Sequence, residues 1–215
     1  MERSCQLVYE TCRKLKELDI RTVVLLALDG EEQPDQSPLE NISNSCDMLI
    51  PVDVSSLMPD REKIAVEEWS RGVREILKYF VESLVSCLSP LDLESESPSS
   101  GSDRLRELLD TRSNFGNVWG AGFGETPDTN GIIKACNDAL DMAERQTVPI
   151  ESSQRILLEF GPELTMAEVR TGIQIFQKRL YDQANVIFTF RGPQTRDSEP
   201  APSRVVIFAD RPLTS

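Results

Sequence analysis

Residues 115–135 read FGNVWGAGFGETPDTNGIIKA, and this stretch decides how the chain is expected to fold. Its apolar start predicts a short strand over residues 118–121, and the later apolar spacing predicts a helix over residues 129–145. Three glycines in a G-x-G-x-G pattern stand between them and indicate a tight turn from the strand into the helix. These glycines are Gly120, Gly122 and Gly124. The stretch therefore predicts a strand, a glycine turn and a helix in succession.

A second stretch, residues 157–169, reads LLEFGPELTMAEV and predicts another strand and helix. The strand is expected over residues 155–160. Thr165 and Glu168 form the T-x-x-E pattern of a capping box, in which each side chain bonds the other residue's backbone at a helix start. The buried face of this helix is expected to carry Ile173, Phe176 and Leu180. The alternation of strands and helices favours an α/β architecture.

The N-terminal part predicts a helix, two strands and a longer helix. Apolar residues at 3-4-3 spacing indicate an amphipathic helix over residues 2–18. Residues 22–28 and 47–54 are nearly continuous apolar runs, which is typical of strands buried on both faces. Pro51 cannot donate a ladder bond, so its strand is expected to have an edge or an end there. A long helix with a marked apolar stripe is expected within residues 61–88.

Two further strands are predicted at residues 185–190 and 204–209. Residues 191–203 between them are polar and proline-rich and predict a hairpin loop, which would make the two strands an antiparallel pair. The predicted fold is therefore α/β (α+β), with a mixed sheet of roughly four to five strands and flanking helices, preceded by a long amphipathic helix.

Charge and histidine content limit the possible functions. The chain has 36 Asp and Glu against 23 Lys and Arg, a formal net charge of −13. Nucleic acids and anionic membranes attract basic patches, so neither is expected as a partner. The sequence has no histidine, which excludes Ser-His-Asp and Cys-His catalysis and His-based metal sites. No apolar run reaches the roughly 20 residues that a membrane-spanning helix needs.

The cysteines predict free thiols rather than a disulfide framework. Five are scattered along the chain without a C-x-x-C pair. They are Cys5, Cys12, Cys46, Cys87 and Cys136. The N-terminus lacks the basic and apolar segments of a signal peptide. A reducing compartment is therefore expected, either the cytoplasm or a plastid stroma.

Taken in order, these stretches resemble the C-terminal domain of FtsZ, the bacterial relative of tubulin. That family has Met-Gly-Ile-Gly-Glu near the glycine pattern of this chain, and Gly-Gly-Pro-Asp-Leu-Thr-Leu-Phe-Glu-Val where this chain has FGPELTMAEV. The strands NVIFTF and RVVIFA are similar to the family's Ala-Asn-Ile-Ile-Phe-Gly and Val-Arg-Val-Thr-Val-Ile-Ala strands. The resemblance implies that residues 1–21 are a remnant of the family's central helix and that residues 22–215 form a C-terminal-like domain.

The resemblance extends to nearly the whole chain but to only about the C-terminal half of the family. The Gly-Gly-Gly-Thr-Gly type of loop, with which FtsZ binds GTP, has no counterpart in the sequence. No nucleotide, other cofactor or metal is therefore expected in this chain. The G-x-G-x-G pattern offers an alternative phosphate loop, but its spacing is not G-x-G-x-x-G, and Glu125 and Asp128 would repel a phosphate.

Residues 89–103 are acidic and serine-rich and predict a flexible surface loop. FtsZ has Asn-Leu-Asp-Phe-Ala-Asp-Val at this place, and its two aspartates reach the nucleotide of the neighbouring subunit. By resemblance Asp92 matches the first aspartate, and the second falls on Ser95 without a gap or on Asp103 if SESPSSGS is an insertion. Pro90 replaces the asparagine. Carboxylates there would position the attacking water; the alternative is a solvated acidic loop.

Three functions remain open on the sequence. The first is an interaction protein without GTPase activity that binds a full-length FtsZ or another tubulin-family partner and modulates its assembly in cell or organelle division. The second is a scaffold subunit of an unrelated complex. The third is activation of a partner's GTP hydrolysis in trans through Asp92 and Asp103. In each case the chain alone is expected to have no enzymatic activity.

The scaffold hypothesis depends on the N-terminal helix. If a GTPase domain is missing, the apolar face of that helix would be exposed, and exposed apolar patches usually mark interfaces. The residues predicted to bind a partner there are Cys5, Val8, Cys12 and Leu15.

Overall fold

A computed structural model describes residues 2–28, 36–58, 64–88, 118–126, 131–146, 150–161, 164–180, 182–190 and 202–210. These residues form six α-helices, six strands and a 3-10 turn at Ile150–Ser152. The elements are, in chain order, α1 (Glu2–Glu17), β1 (Val23–Leu28), α2 (Gln36–Ser45), β2 (Met48–Asp53), α3 (Val54–Leu57), α4 (Val66–Leu88), β3 (Trp119–Thr126), α5 (Ile132–Arg145), β4 (Arg155–Phe160), α6 (Met166–Gln177), β5 (Asn185–Phe190) and β6 (Ser203–Asp210).

The larger sheet has four strands in the order β3-β6-β4-β5. β6 is antiparallel to β3 and β4, whereas β4 and β5 are parallel. The predicted mixed sheet with flanking helices is therefore confirmed. The predicted hairpin of the last two strands is wrong, because β4 lies between them. β6 is buried along nearly its whole length and takes a central position, while the more exposed β5 takes the edge.

Helices cover both faces of this sheet. Because side chains alternate along a strand, each strand contributes to two separate cores. On one face, α4 packs on the sheet through a cluster that includes Val73, Phe80, Leu84, Trp119, Phe123, Leu157 and Phe208. On the other face, α5 and α6 pack on the sheet through a cluster that includes Ala135, Ala139, Ile156, Leu158, Phe160, Phe176 and Ile207. The sheet is therefore the middle layer of three.

The smaller sheet pairs β1 and β2 in parallel. β2 is buried as predicted, but β1 is only half-buried, so the expectation of burial on both faces is wrong for β1. The N–H of Met48 donates to the C=O of Thr22 on the β1 side. Since successive residues of a strand face opposite edges, Pro51 faces away from β1 and removes no bond from that pair. This agrees with the predicted edge position.

α1 belongs with the smaller sheet. Cys5 and Cys12 of α1 pack with Ile42 of α2 and with Cys46, which directly follows that helix. They also pack with Leu49 of β2. α1, β1, α2 and β2 therefore form one packed unit, and the boundary predicted after residue 21 stays a prediction. This unit adjoins the larger sheet through a parallel bridge between Leu49 and Val118, and α4 packs against both sheets.

The capping box at the start of α6 is confirmed. The hydroxyl of Thr165 accepts a bond from the N–H of Glu168, and the carboxylate of Glu168 accepts from the N–H of Thr165. These two bonds satisfy donors that have no partner within the helix. They fix where the chain leaves β4 and begins α6.

Candidate functional site

The glycine pattern lies inside a strand, not in a turn as predicted. β3 includes Gly120, Gly122 and Gly124, and its ladder with β6 runs without a break. A Cβ on Gly122 would collide with the carbonyl oxygen of Ala139, and one on Gly124 with that of Ala135. The glycines therefore let the backbone of α5 lie directly on the strand. Helix backbone fills the space that a phosphate would need, which excludes the phosphate-loop alternative.

The apolar face of α1 is occupied by the chain itself. Cys5 and Cys12 are 5% and 4% exposed, and Val8 and Leu15 are half-buried. The premise that this face is open to a partner is therefore wrong for the structure. The missed signal was α2, whose Ile42 is fully buried beneath the helix.

The cysteines with described side chains are free thiols, as predicted. They are Cys5, Cys12, Cys46 and Cys136, and all four are buried. Burial raises the pKa of Cys46 and of Cys136 to about 12 and also raises the pKa of Cys12. A thiol reacts through its thiolate, so these groups stay protonated and unreactive at neutral pH.

The acidic loop lies outside the described residues. Helix α4 ends at Leu88, directly before this loop, and the described chain resumes at Val118. Asp92 and Asp103 fall in that interval, so their predicted role stays a prediction. Residues 191–201 of the predicted hairpin loop also lie outside the described parts.

Two negative findings apply to the described parts of the chain. No group of three or more Cys, Asp or Glu side chains is placed there to hold a metal ion. No helix there combines the length and the apolar character needed to cross a membrane.

A single glutamine joins the N-terminal unit to α5. Gln146, 3% exposed at the end of α5, accepts a bond from the N–H of Asp53 at 2.9 Å and donates to the C=O of Asp53 at 3.1 Å. It also donates to the hydroxyl of Ser56, and Arg145 donates to the C=O of Ser56. The amide thus replaces a neighbouring strand at the end of β2. Nothing in the sequence pattern pointed to this residue.

Gln146→Ala is expected to lower the free energy of unfolding by about 2 kcal/mol, because it leaves the N–H and C=O of the half-buried Asp53 without their bonds to the amide. Gln146→Glu should also destabilise, since a carboxylate cannot donate to the Asp53 carbonyl. Urea unfolding of the full chain measures both. Gln174→Ala on α6 is the control and should change stability by less than about 0.5 kcal/mol. Equal losses at both positions would contradict the linking role of Gln146.

The start of β4 and the end of β6 meet at a buried ion pair. Arg155 donates to Asp210 at 3.0 Å, and their side chains are 7% and 0% exposed. The other carboxylate oxygen of Asp210 accepts from the N–H groups of Gln154 and Arg155. The guanidinium also lies 5.1 Å from the centre of the Trp119 ring. Both oxygens of the Asp210 carboxylate bond groups within the chain, which favours a structural role for the pair.

A mostly apolar pocket of about 480 Å³ lies between α6 and the edge strand β5. Its lining includes Leu158, Phe176 and Leu180, Val186 and Phe188 of β5, and the polar side chains of Gln177 and Asp182. Phe188 is 55% exposed and Val186 is 36% exposed, so the pocket continues into an exposed apolar strip on β5.

Comparison with solved structures identifies the fold. FtsZ of M. jannaschii, solved as an empty dimer, matches with a TM-score of 0.69 at 17% identity. CetZ1 of Haloferax volcanii, a GDP-bound monomer, matches with a TM-score of 0.58 at 17% identity. CetZ2 of the same organism, a protofilament with GTPγS bound, matches with a TM-score of 0.64 at 11% identity. The chain has an FtsZ/tubulin-like fold.

The matches extend over 93%, 96% and 99% of this chain, respectively, but over only 57%, 60% and 61% of the FtsZ, CetZ1 and CetZ2 chains. The FtsZ-like chain therefore spans about three fifths of the structures that it matches. At these identities the likeness concerns the fold alone. No protein-family model and no curated protein sequence matches it.

Proposed function

We propose that this chain is an interaction protein that binds a tubulin-family subunit, such as a full-length FtsZ, and modulates its assembly without hydrolysing nucleotide itself. The observation that carries this proposal is the FtsZ/CetZ-like fold over nearly the entire chain. One of the matched structures is a protofilament, in which copies of this fold stack on one another. The likeness to 61% of that subunit supports the proposal that this chain joins such an assembly.

Two features of the described residues support a role in binding rather than in catalysis. The glycine pattern of β3, whose sequence suggested a phosphate loop, is covered by the backbone of α5. The buried charged side chains Arg155 and Asp210 bond each other and the backbone instead of facing a cavity. Both features favour a function in which the surface of the chain binds a partner.

Co-pelleting with purified full-length FtsZ tests the proposal. The chain is expected to pellet with the filaments only when GTP is present, and to change filament mass or phosphate release. A chain that stays in the supernatant and leaves both quantities unchanged would rule the proposal out.

The acidic loop can be tested in the same assay. Deletion of residues 94–102 is expected to weaken co-pelleting if the loop contacts the partner. Asp103→Ala separates the trans-activating alternative, because it should abolish any stimulated phosphate release while leaving binding intact. Glu151→Ala removes an exposed carboxylate from the 3-10 turn and serves as the matched control. Stimulation that survives Asp103→Ala contradicts the trans-activating role.

A further inference from the structure

Among the residues that the structure describes, β5 is an outer strand without the usual protection of a sheet edge. No described strand pairs with its outer side. Its six residues, NVIFTF, include no charge and no proline, and they pair with β4 in an unbroken register without a bulge. Proteins normally protect such edges with charged residues, prolines or bulges, because free N–H and C=O groups recruit further strands.

The backbone groups that face outward can be assigned. The N–H of Asn185 donates to the C=O of Gln154 at 2.7 Å, which places Asn185 in the ladder with β4. Successive residues of a strand direct their N–H and C=O groups to opposite edges. Val186, Phe188 and residue 190 therefore direct their backbone groups to the free edge.

The exposed side chains lie at the same alternate positions. Val186 and Phe188 project towards α6, where they adjoin the pocket with Leu158 and Phe176, and both are substantially exposed. Ile187, on the opposite face, packs towards α4. The edge thus combines outward backbone donors and acceptors with an apolar strip beside a concave apolar surface.

We propose that β5 is a self-association edge at which a second copy of this chain pairs antiparallel with it, about a two-fold axis at Phe188. In that register Phe188 lies opposite Phe188 of the other copy. Val186 of each copy lies opposite residue 190 of the other. All three pairs use outward-facing backbone groups, and each exchanges two hydrogen bonds, which gives six. A two-fold axis perpendicular to the sheet keeps the faces aligned, so the apolar strips of both copies adjoin on the α6 side.

Neighbouring registers fit less well. If one copy slipped along the other by one residue, outward-facing residues would lie opposite inward-facing ones and the ladder could not form. A two-fold axis at Ile187 keeps the parity, but it places Ala184, which precedes β5, opposite residue 190. Only two outward-facing pairs then lie within the strand. The register at Phe188 is therefore the one that uses the whole of β5.

The composition of β5 favours a second copy as the occupant of this edge. With a net charge of −13, two copies repel each other over most of their surfaces. β5 is uncharged, so its ladder brings no carboxylates together. The matching strand has to be neutral, apolar and rich in aromatic and β-branched residues, and the copy's own β5 has this composition. This association involves no tubulin-family partner and is independent of the function proposed above.

Sedimentation equilibrium of the full chain tests this proposal. The wild type is expected to show a concentration-dependent dimer. Phe188→Lys and Phe188→Glu each place like charges at the axis and should raise the dimer dissociation constant about a hundredfold or more. An equimolar mixture of these two variants should restore the dimer, because Lys then meets Glu. Val85→Lys, at a position on α4 that is also 55% exposed, is the control and should dimerise like the wild type.

Three results would overturn the proposal. A wild type that stays monomeric at every concentration would leave the edge to a strand of another protein. A dimer that persists in both Phe188 variants would place the interface elsewhere. Variants that are monomeric alone and also in the mixture would contradict the two-fold axis at Phe188. Circular dichroism of each variant shows that the exposed substitutions leave the fold intact.

Discussion

Gly124→Ala is expected to lower the free energy of unfolding of this chain by about 3 kcal/mol. The new Cβ would overlap the carbonyl oxygen of Ala135 and lie 2.7 Å from its carbonyl carbon and 2.9 Å from the N of Ala139. All three atoms belong to the backbone of α5, which cannot move aside without leaving the sheet. Because α5 is packed with its small buried residues directly on β3, the whole helix would have to shift. Urea unfolding of the full chain measures the loss.

Gly72→Ala is the matched control, because it also meets a close neighbour. There the new Cβ lies 2.9 Å from the methyl carbon of Met58 and overlaps its sulfur, which are the far end of a flexible side chain. That side chain can change rotamer, and alanine is the better helix former by about 1 kcal/mol. Gly72→Ala should therefore be neutral or stabilising. If Gly124→Ala unfolds at the same urea concentration as the wild type, the direct contact between the backbone of α5 and β3 is contradicted.

The glycine pattern shows which sequence signal was misinterpreted. Its G-x-G-x-G spacing has a period of two, and two is the period of a strand, so all three glycines share one face. Trp119, Ala121 and Phe123, at the alternate positions, lie on the opposite face and are buried against α4. Residues 119–126 could therefore be predicted as one strand, with a glycine face for a close helix. The interpretation as a turn gave more weight to conformational freedom than to periodicity.

Local signals were sufficient for α4 and α6, although α2 was not predicted. The stripe of α4 and the capping box of α6 depend on spacings within a few residues, and both are found in the structure. Strand neighbours depend on contacts that are distant in sequence, and there the prediction failed. A short polar connection favoured a hairpin of β5 and β6. The burial of β6 on both faces, which its apolar run VVIFA already indicated, is typical of a central strand, and β6 has β3 and β4 as its neighbours.

The candidate sites could be predicted less well than the fold. Cys5, Val8, Cys12 and Leu15 were correctly placed on one helix face, but their pattern does not reveal what covers it. Gln146 and Asp210 are single polar residues whose importance arises only from burial among distant partners. Phe188 belongs to an ordinary apolar strand until the order of the sheet places that strand at the edge. Each of these roles is a property of the tertiary structure.

Asp210→Ala is expected to destabilise the chain by about 3 to 5 kcal/mol, the largest effect of any single substitution considered for this protein. The substitution removes the Asp210 counter-ion from the Arg155 guanidinium. The Arg155 side chain is only 7% exposed, so water cannot take the place of that counter-ion. It also removes the acceptor for the N–H groups of Gln154 and Arg155, where β4 begins. A buried charge that loses its counter-ion costs far more than the pair contributed, since the desolvation of the remaining ion is no longer offset. Urea unfolding gives the loss, and Asp210→Asn gives an intermediate value should the alanine variant not fold.

Glu125→Ala is the matched control, since it breaks an ion pair between the same two kinds of side chain. Arg204 bonds Glu125 at 2.9 Å, but these side chains are 28% and 36% exposed, and the guanidinium keeps its contact with the Tyr79 ring. The expected loss is about 1 kcal/mol or less. The double variant Arg155→Met/Asp210→Leu should recover much of the stability lost in Asp210→Ala, because apolar residues of similar size require no counter-ion. A double variant that is as unstable as Asp210→Ala would show that the bonds to the start of β4, and not the loss of the Arg155 counter-ion, dominate the loss.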